Sequence, residues 1–328
     1  MRIDMHAHHV PPAVLTAIEE GPSRYGVYLE ATGAGRRCLC FDYGLTLRPF
    51  FGQLLDLDTR WEVMDRQKVD RQILSVWADL FGYRMPPEEG ARWHRLLNER
   101  LGEVAWKHPG RLSMLASVPL QDADLAAAEL EHGVKQCGAV GGILGASVDG
   151  VNLGEADLDR FWAAAVELDV PLFIHPTQPI TDPRATKYGL SVIAEFLYDS
   201  TLTVGSLVFS GVLDRFPTLN LILPHGGGFF PYQAGRFDRI YRNMEPSSAS
   251  AQPPSAYLSR FYYDTILHSP ATLAYLRDMV GSQQLLMGTD YPFPVDDEAP
   301  LQMLEKTGFP ASQIAQIAGD NARRLFRI

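Results

Sequence analysis

Short apolar runs alternate with longer stretches of helical periodicity along the whole chain, the signature of βα units that feed a parallel sheet. Apolar runs near 2–6, 71–76, 112–116, 139–144, 171–175, 220–224, 261–265 and 284–288 read as strands. About eight strands in this rhythm predict a (β/α)8 TIM barrel, an α/β fold built as one domain over residues 1–328. Between the strands the apolar positions move to helical spacing. Leu158, Phe161, Trp162, Ala165 and Leu168 do so within 156–169, and Trp93, Leu96, Leu97, Leu101 and Val104 within 87–107. Residues 10–58 follow neither period. They are rich in Gly, Arg and aromatics (Tyr28, Phe41, Tyr43, Phe50, Phe51) and read as an insertion after the first strand. Such an insertion leaves the C-terminal end of a barrel strand, so it is expected over the barrel mouth, where it shapes a pocket or serves as surface decoration or a subunit contact. Residues 247–255, with Ser, Ala, Gln and Pro, read as a loop.

Composition narrows the classes. With 46% hydrophobic and 21% charged residues the chain has material for a large core. Its 29 Lys and Arg against 39 Asp and Glu give a net charge of −10, which repels phosphate backbones and argues against nucleic acid as a partner. Local arginines leave a small carboxylate substrate open. Three cysteines, Cys38, Cys40 and Cys137, offer no even framework of bridges and fit a reducing cytoplasm. Cys38 and Cys40 lack metal-site spacing and read as small packing residues. No stretch reaches roughly 18 uninterrupted apolar residues, and no apolar leader follows a basic start, so neither a membrane span nor secretion is expected.

The chemistry sits at strand ends. In Asp4-Met5-His6-Ala7-His8 strand alternation turns His6 and His8 to one face. His175 ends the fifth strand, His225 the sixth, where Gly226-Gly227-Gly228 follows, and Asp290 comes just past the eighth. One such residue alone is more simply a cap or a turn former; several at the C-terminal ends of one barrel point to a site. His6, His8, His175 and Asp290 form an N3O set that suits Zn2+, with Mn2+ or Fe2+ also fitting and a position left for water or substrate. The fourth-strand stretch 139–147 has no Lys or Glu to bridge a second ion, so one metal per chain is expected. His225 then either acts as acid or base beside the metal or serves as a fourth histidine ligand. His94, His108 and His132 fall in or after helices and are expected at the surface; His9 points away from His8, and His268 follows the seventh strand within reach of the mouth.

Further motifs run with these: Ile3-Asp4-Met5-His6-Ala7-His8, Arg60 with Met64-Asp65, Ile174-His175-Pro176, Pro224-His225-Gly226-Gly227-Gly228 with Pro231-Tyr232 and Gly235-Arg236, Gly288-Thr289-Asp290-Tyr291-Pro292-Phe293-Pro294, and Asp320-Asn321-Ala322-Arg323-Arg324-Leu325-Phe326. In them the chain resembles the amidohydrolase superfamily, in the branch of aminocarboxymuconate-semialdehyde decarboxylase and γ-resorcylate-type decarboxylases. The resemblance implies that His6, His8, His175 and Asp290 bind a divalent metal, usually zinc, and that His225 is catalytic. It places Arg60 and Arg236 near positions that bind a substrate carboxylate, the second reaching across from a neighbouring subunit, and Phe293 against the substrate. It also implies a homodimer or higher homo-oligomer, for which the apolar helix near 190–213 supplies an interface or merely packs on the barrel. Two departures stand out: some decarboxylases of the branch have Glu where this chain has His6, and His9 stands where an apolar or aromatic residue is commoner.

The expected activity is non-oxidative decarboxylation of a hydroxylated aromatic or heteroaromatic acid, of hydroxybenzoate or hydroxypicolinate type. Asp290 or His225 protonates the ring carbon, or His225 activates water for addition to a double bond before CO2 leaves. The alternative is a metal-dependent hydrolase or hydratase of an amide, lactone or unsaturated ring-cleavage acid, and from another class a non-catalytic metal-binding protein.

Overall fold

The computed structural model describes residues 1–21, 24–177, 182–243 and 248–328. Eight parallel strands form one sheet: β1 (Ile3–His8), β2 (Arg71–Ser75), β3 (Leu112–Ser117), β4 (Gly141–Gly145), β5 (Leu172–His175), β6 (Leu221–Leu223), β7 (Phe261–Asp264) and β8 (Leu285–Leu286), hydrogen-bonded in that order. The edges meet. Met5 N–H donates to Met287 O at 2.9 Å, Asp290 N–H to His6 O at 2.8 Å and His8 N–H to Tyr291 O at 2.7 Å, so β1 pairs with the chain leaving β8 and the sheet closes into a (β/α)8 barrel.

Side chains reinforce that seam. Asp4 accepts from Thr289 Oγ1 at 2.7 Å, Thr289 N–H at 3.0 Å and Gln72 Nε2 at 2.9 Å, tying β1 to both neighbours. Every residue of β1 is buried, as expected of a strand with helices on one face and a filled barrel on the other. Ile3, Met5 and Ala7 join the apolar core on one face, and Asp4, His6 and His8 alternate with them toward the other.

The helix Pro87–Lys107 spans the residues its periodicity predicts and buries Trp93, Leu96, Leu97 and Leu101. The helix expected over 156–169 runs from Asp159 to Leu168, because a turn from Asn152 delays its start until Leu158 accepts the first helical bond. Asp122 caps the helix Ala123–Cys137 by accepting from Leu125 N–H at 2.9 Å, and Gly138 at φ 74° ends it.

Residues 10–58 carry more order than their irregular sequence suggests. Pro12–Glu20 is a helix, and Val27–Thr32 pairs antiparallel with Arg36–Phe41 as a hairpin. The period-2 signal there was hidden because the outward side chains mix charge with aromatics. Phe50 packs on Trp77, and Phe51 on Phe293. Of the loop expected at 247–255, residue 247 lies outside the described residues; the rest is irregular until a short 3-10 segment begins at Pro254.

The apolar helix expected near 190–213 is a π turn, Ser191–Glu195, running into the helix Phe196–Phe209. Among the described residues it is the one helix long and apolar enough by composition to cross a membrane. Val204, Leu207 and Val208 nonetheless pack into the barrel core, while Ile193 and Tyr198 face out.

Candidate metal centre and cavity

The barrel brings His6, His8, His175 and Asp290 together, with one potential ligand atom from each lying within 4.8 Å of the others. His6 Nε2 and His8 Nε2 stand 3.1 Å apart, and Asp290 Oδ1 is 3.2 Å from each. All four side chains are buried. Their opposite sides are fully committed. His6 Nδ1 donates to Asp264 Oδ2 at 2.7 Å, His8 Nδ1 faces Val76 O at 3.2 Å and Ser75 Oγ at 3.1 Å, and His175 Nδ1 donates to Pro176 O at 2.7 Å.

Those partners place the ring proton on Nδ1 of each imidazole and leave three Nε2 lone pairs converging beside a carboxylate oxygen. His175 Nε2 and Asp290 Oδ1 make no hydrogen bond. Facing lone pairs repel, and unpartnered buried polar atoms are costly, unless a cation lies between them. Ligands about 2.1 Å from a shared ion stand roughly 3.0–3.4 Å apart, so the 3.1 and 3.2 Å separations fit a divalent metal. Histidines oriented by carboxylate or carbonyl on the far nitrogen are the usual outer shell of such a site.

Electrostatics agree with the geometry. Burial opposes charge on Asp290, but His6 and His225 outweigh it and hold the carboxyl well below its ordinary range. Burial likewise opposes protonation of His6; Asp290 and Asp264 reverse that and raise it to about 10. His8 and His175 are pushed down by burial, His175 strongly. Two buried carboxylates thus call for positive charge at the point where the imidazoles converge, a charge that a divalent ion supplies while displacing the His6 proton.

Sequence reasoning missed Asp264. It ends β7, is fully buried, and besides holding His6 accepts from Gly226 N–H at 3.0 Å and Ile266 N–H at 3.2 Å. The signal was present: a carboxylate closing the apolar run Phe261-Tyr262-Tyr263, much as Asp290 follows β8. Through Gly226 it also fixes the His225 loop. His225 Nε2 lies 3.5 Å from Asp290 Oδ2, the carboxylate oxygen other than the one that faces His6 and His8, and its ring centroid is 5.5 Å from that of His6. Its Nδ1 is buried without a hydrogen bond. The glycines after it are required by close approach: a Cβ on Gly227 would stand 2.6 Å from the Tyr263 ring, and one on Gly228 2.4 Å from Leu197 O.

Among the described residues the cluster takes no side chain from β4. Its last residue, Gly145, pairs with His175 in register, and a side chain there would meet the Tyr83 ring at 2.9 Å.

Above Asp290 and His175 opens a cavity of about 320 Å³. Its walls are apolar, with Trp77, Val192, Ile193, Phe196 and Phe293, and its other charged side chains are Arg48 and Asp79. Phe293 therefore lies at the cavity, its ring 5.1 Å from that of His8. Arg48 was not anticipated. It stacks 4.9 Å from the Trp77 ring and 5.3 Å from Phe293, and its only sequence signal was a cation within the aromatic run of residues 41–51.

Arg60 is neither in the cavity nor at the helix surface. It is fully buried under β1, donates to His8 O and to Gln72 Oε1, the latter at 2.8 Å, and stacks on Tyr291. It supports β1, and its full burial on these partners, outside the cavity lining, departs from the expectation that it binds substrate. Arg236 is exposed on the helix Phe230–Asn243, away from this chain's cavity lining. His94 is also a correction: it is buried, bonded to Ser117 Oγ and Phe81 O at 2.9 Å each, and burial lowers it to about 3. His108 and His132 are half-buried, His268 is exposed, and His9 is buried without a ring hydrogen bond.

Comparison with known proteins agrees with this architecture. The amidohydrolase family model matches residues 3–328. The chain is 28% identical to 2-amino-3-carboxymuconate-6-semialdehyde decarboxylase of Dictyostelium discoideum, over 98% of this chain and 90% of that protein. It is 29% identical to the gamma-resorcylate decarboxylase of Rhizobium sp. (strain MTP-10005), over 84% and 89%. Among solved structures, a dihydroxybenzoic acid decarboxylase from Polaromonas sp. JS666, with bound manganese and the inhibitor 2-nitroresorcinol, superposes with a TM-score of 0.78 at 25% identity, covering 99% of this chain and 96% of that one. The chain belongs to the amidohydrolase family, in the branch that holds these decarboxylases.

Proposed function

We propose that the chain is a metal-dependent, non-oxidative decarboxylase of a hydroxylated aromatic or heteroaromatic acid. The observation that carries this reading is the cavity itself: a ring-sized, apolar-walled space whose floor presents His175 and Asp290 of a three-imidazole, one-carboxylate cluster. Relatives along most of the chain are decarboxylases, and those named for gamma-resorcylate and 6-methylsalicylic acid act on hydroxylated aromatic acids.

His6, His8, His175 and Asp290 hold one divalent ion, which when bound supplies Lewis acidity to the carboxylate and a neighbouring oxygen of the substrate. The imidazole-rich set suits Zn2+, while the Polaromonas relative carries manganese, and elemental analysis decides between them. Trp77, Phe196 and Phe293 sandwich the ring and exclude water, and Arg48 adds positive charge for an anionic substrate. Arg48 lines this space and Phe50 and Phe51 pack against its walls Trp77 and Phe293, so the 10–58 segment takes part in choosing the ring.

CO2 leaving an aromatic carbon directly would strand an aryl carbanion, so that carbon needs a proton first. We assign that delivery to Asp290 and His225, whose Nε2 lies 3.5 Å from Asp290 Oδ2. Arg236 acts across a homodimer, with Tyr232 and Ile240, exposed on the same helix, against the second copy of the chain. Light scattering that shows a monomer removes that role.

The test is direct CO2 detection from metal-loaded protein with a panel of hydroxybenzoates and hydroxypicolinates. Release from at least one acid is expected. Silence across the panel together with ester or amide turnover would replace the decarboxylase reading with a hydrolase.

A further inference from the structure

Asp79 faces the cavity with its side chain only 8% exposed. Among the described residues its carboxylate makes no hydrogen bond. Its one partner is Arg48, whose Nε stands 4.0 Å away, too far for a hydrogen bond and shared with the faces of Trp77 and Phe293. Burial pushes the Asp79 carboxyl up to about 6, with Arg48 opposing, so at neutral pH it is mainly an ionised acceptor lacking a donor. An acceptor withdrawn from water and left unpaired is a recognition element awaiting a ligand.

We propose that Asp79, assisted by Arg48, reads a neutral hydroxyl on the substrate ring. This rests on the decarboxylase reading for the identity of the ring and on the cavity alone for the recognition. A hydroxyl both donates and accepts, so it satisfies Asp79 through its proton and Arg48 through its oxygen. The other common ring substituents each fail one partner. A methoxy accepts from Arg48 but leaves Asp79 desolvated and unpaired. A second carboxylate meets Asp79 as a like charge, and a neutral arylamine donates to Asp79 but is a poor acceptor for Arg48, because its lone pair is delocalised into the ring. Aspartate does most of the selecting, because its side chain is enclosed while that of Arg48 is 45% exposed and keeps water.

The experiment measures binding and needs no turnover. Isothermal titration of the metal-loaded protein uses 2-nitrophenols, the nitro group standing for the carboxylate, with hydroxyl, methoxy, amino or carboxylate at each open ring position. At one position the hydroxyl compound is expected to bind at least about tenfold more tightly than its methoxy and carboxylate counterparts. Asp79→Val should reduce that preference to within about threefold. Asp79→Asn, which keeps an acceptor but not the charge, should restore part of the hydroxyl preference and lift the penalty on carboxylate. The inference is overturned if no ring position shows the preference in the wild type, or if the preference survives Asp79→Val. A hydroxyl preference without CO2 release from any acid sinks the decarboxylase reading alone; CO2 release without the preference sinks this inference alone.

Discussion

Replacing Asp264 with Asn keeps the volume of the last β7 side chain and removes its charge. In the native protein one oxygen receives the His6 Nδ1 proton at 2.7 Å, and the other receives Gly226 and Ile266 N–H at 3.0 and 3.2 Å. Asparagine has one acceptor and one donor, so it cannot serve both sides. With its carbonyl toward Gly226, its NH2 confronts His6 Nδ1–H, and the imidazole turns or changes tautomer; with the carbonyl toward His6, two backbone donors lose their acceptor. The first arrangement weakens metal binding by roughly 10–100-fold, the usual result of losing an outer-shell partner, or about 1.4–2.7 kcal/mol. The second costs about 1–3 kcal/mol of stability and loosens the His225 loop. Competition with a chelator of known affinity reports the first, and thermal unfolding of the metal-free protein reports the second. If Asp264→Asn kept metal affinity within twofold and an unchanged Tm, the assignment of Asp264 as the group orienting His6 would be wrong.

Two other predictions follow from buried residues that the sequence placed elsewhere. Arg60→Met leaves His8 O and Gln72 Oε1 without their donor, so it should lower stability by about 2–4 kcal/mol; a raised KM with an unchanged Tm would instead return Arg60 to the substrate. His94 is held neutral at about 3 in the folded state against an ordinary 6.5, so the unfolded chain binds the extra proton and stability is lost as pH falls below 6.5. At pH 5 the loss from this group is about 2 kcal/mol, and in His94→Gln a plot of unfolding free energy against pH should be flatter by that amount; an unaltered slope refutes it.

The barrel was legible because parallel strands buried on both faces leave dense apolar runs, and each run fell within two or three residues of its observed strand. The clustered side chains His6, His8, His175 and Asp290 were legible for a related reason: a His or Asp that interrupts or closes such a run stands out. What stayed hidden depends on pairings distant in sequence. Asp264 looks like any polar strand end until the fold sets it against His6, 258 residues away. His94 sits on a helix whose buried face includes polar atoms satisfied by a loop and a strand, so helical position alone suggested a solvent-facing side chain, and the donors of Arg60 meet His8 O and Gln72 only once the strands are paired. Within 10–58 the hairpin and Arg48 were obscured because that segment packs its aromatics against the barrel mouth rather than along a periodic face.

The central claim is that the metal centre and the Asp290–His225 pair together exchange a ring carboxylate for a proton. Mass spectrometry of the product formed in D2O from an acid of the hydroxybenzoate or hydroxypicolinate panel tests it most directly. The account predicts an arene lacking CO2 with one deuteron at the vacated carbon, formed by the metal-loaded protein and lost in His225→Ala. Recovery of every acid unchanged, or a product formed at the same rate by His225→Ala, would contradict it.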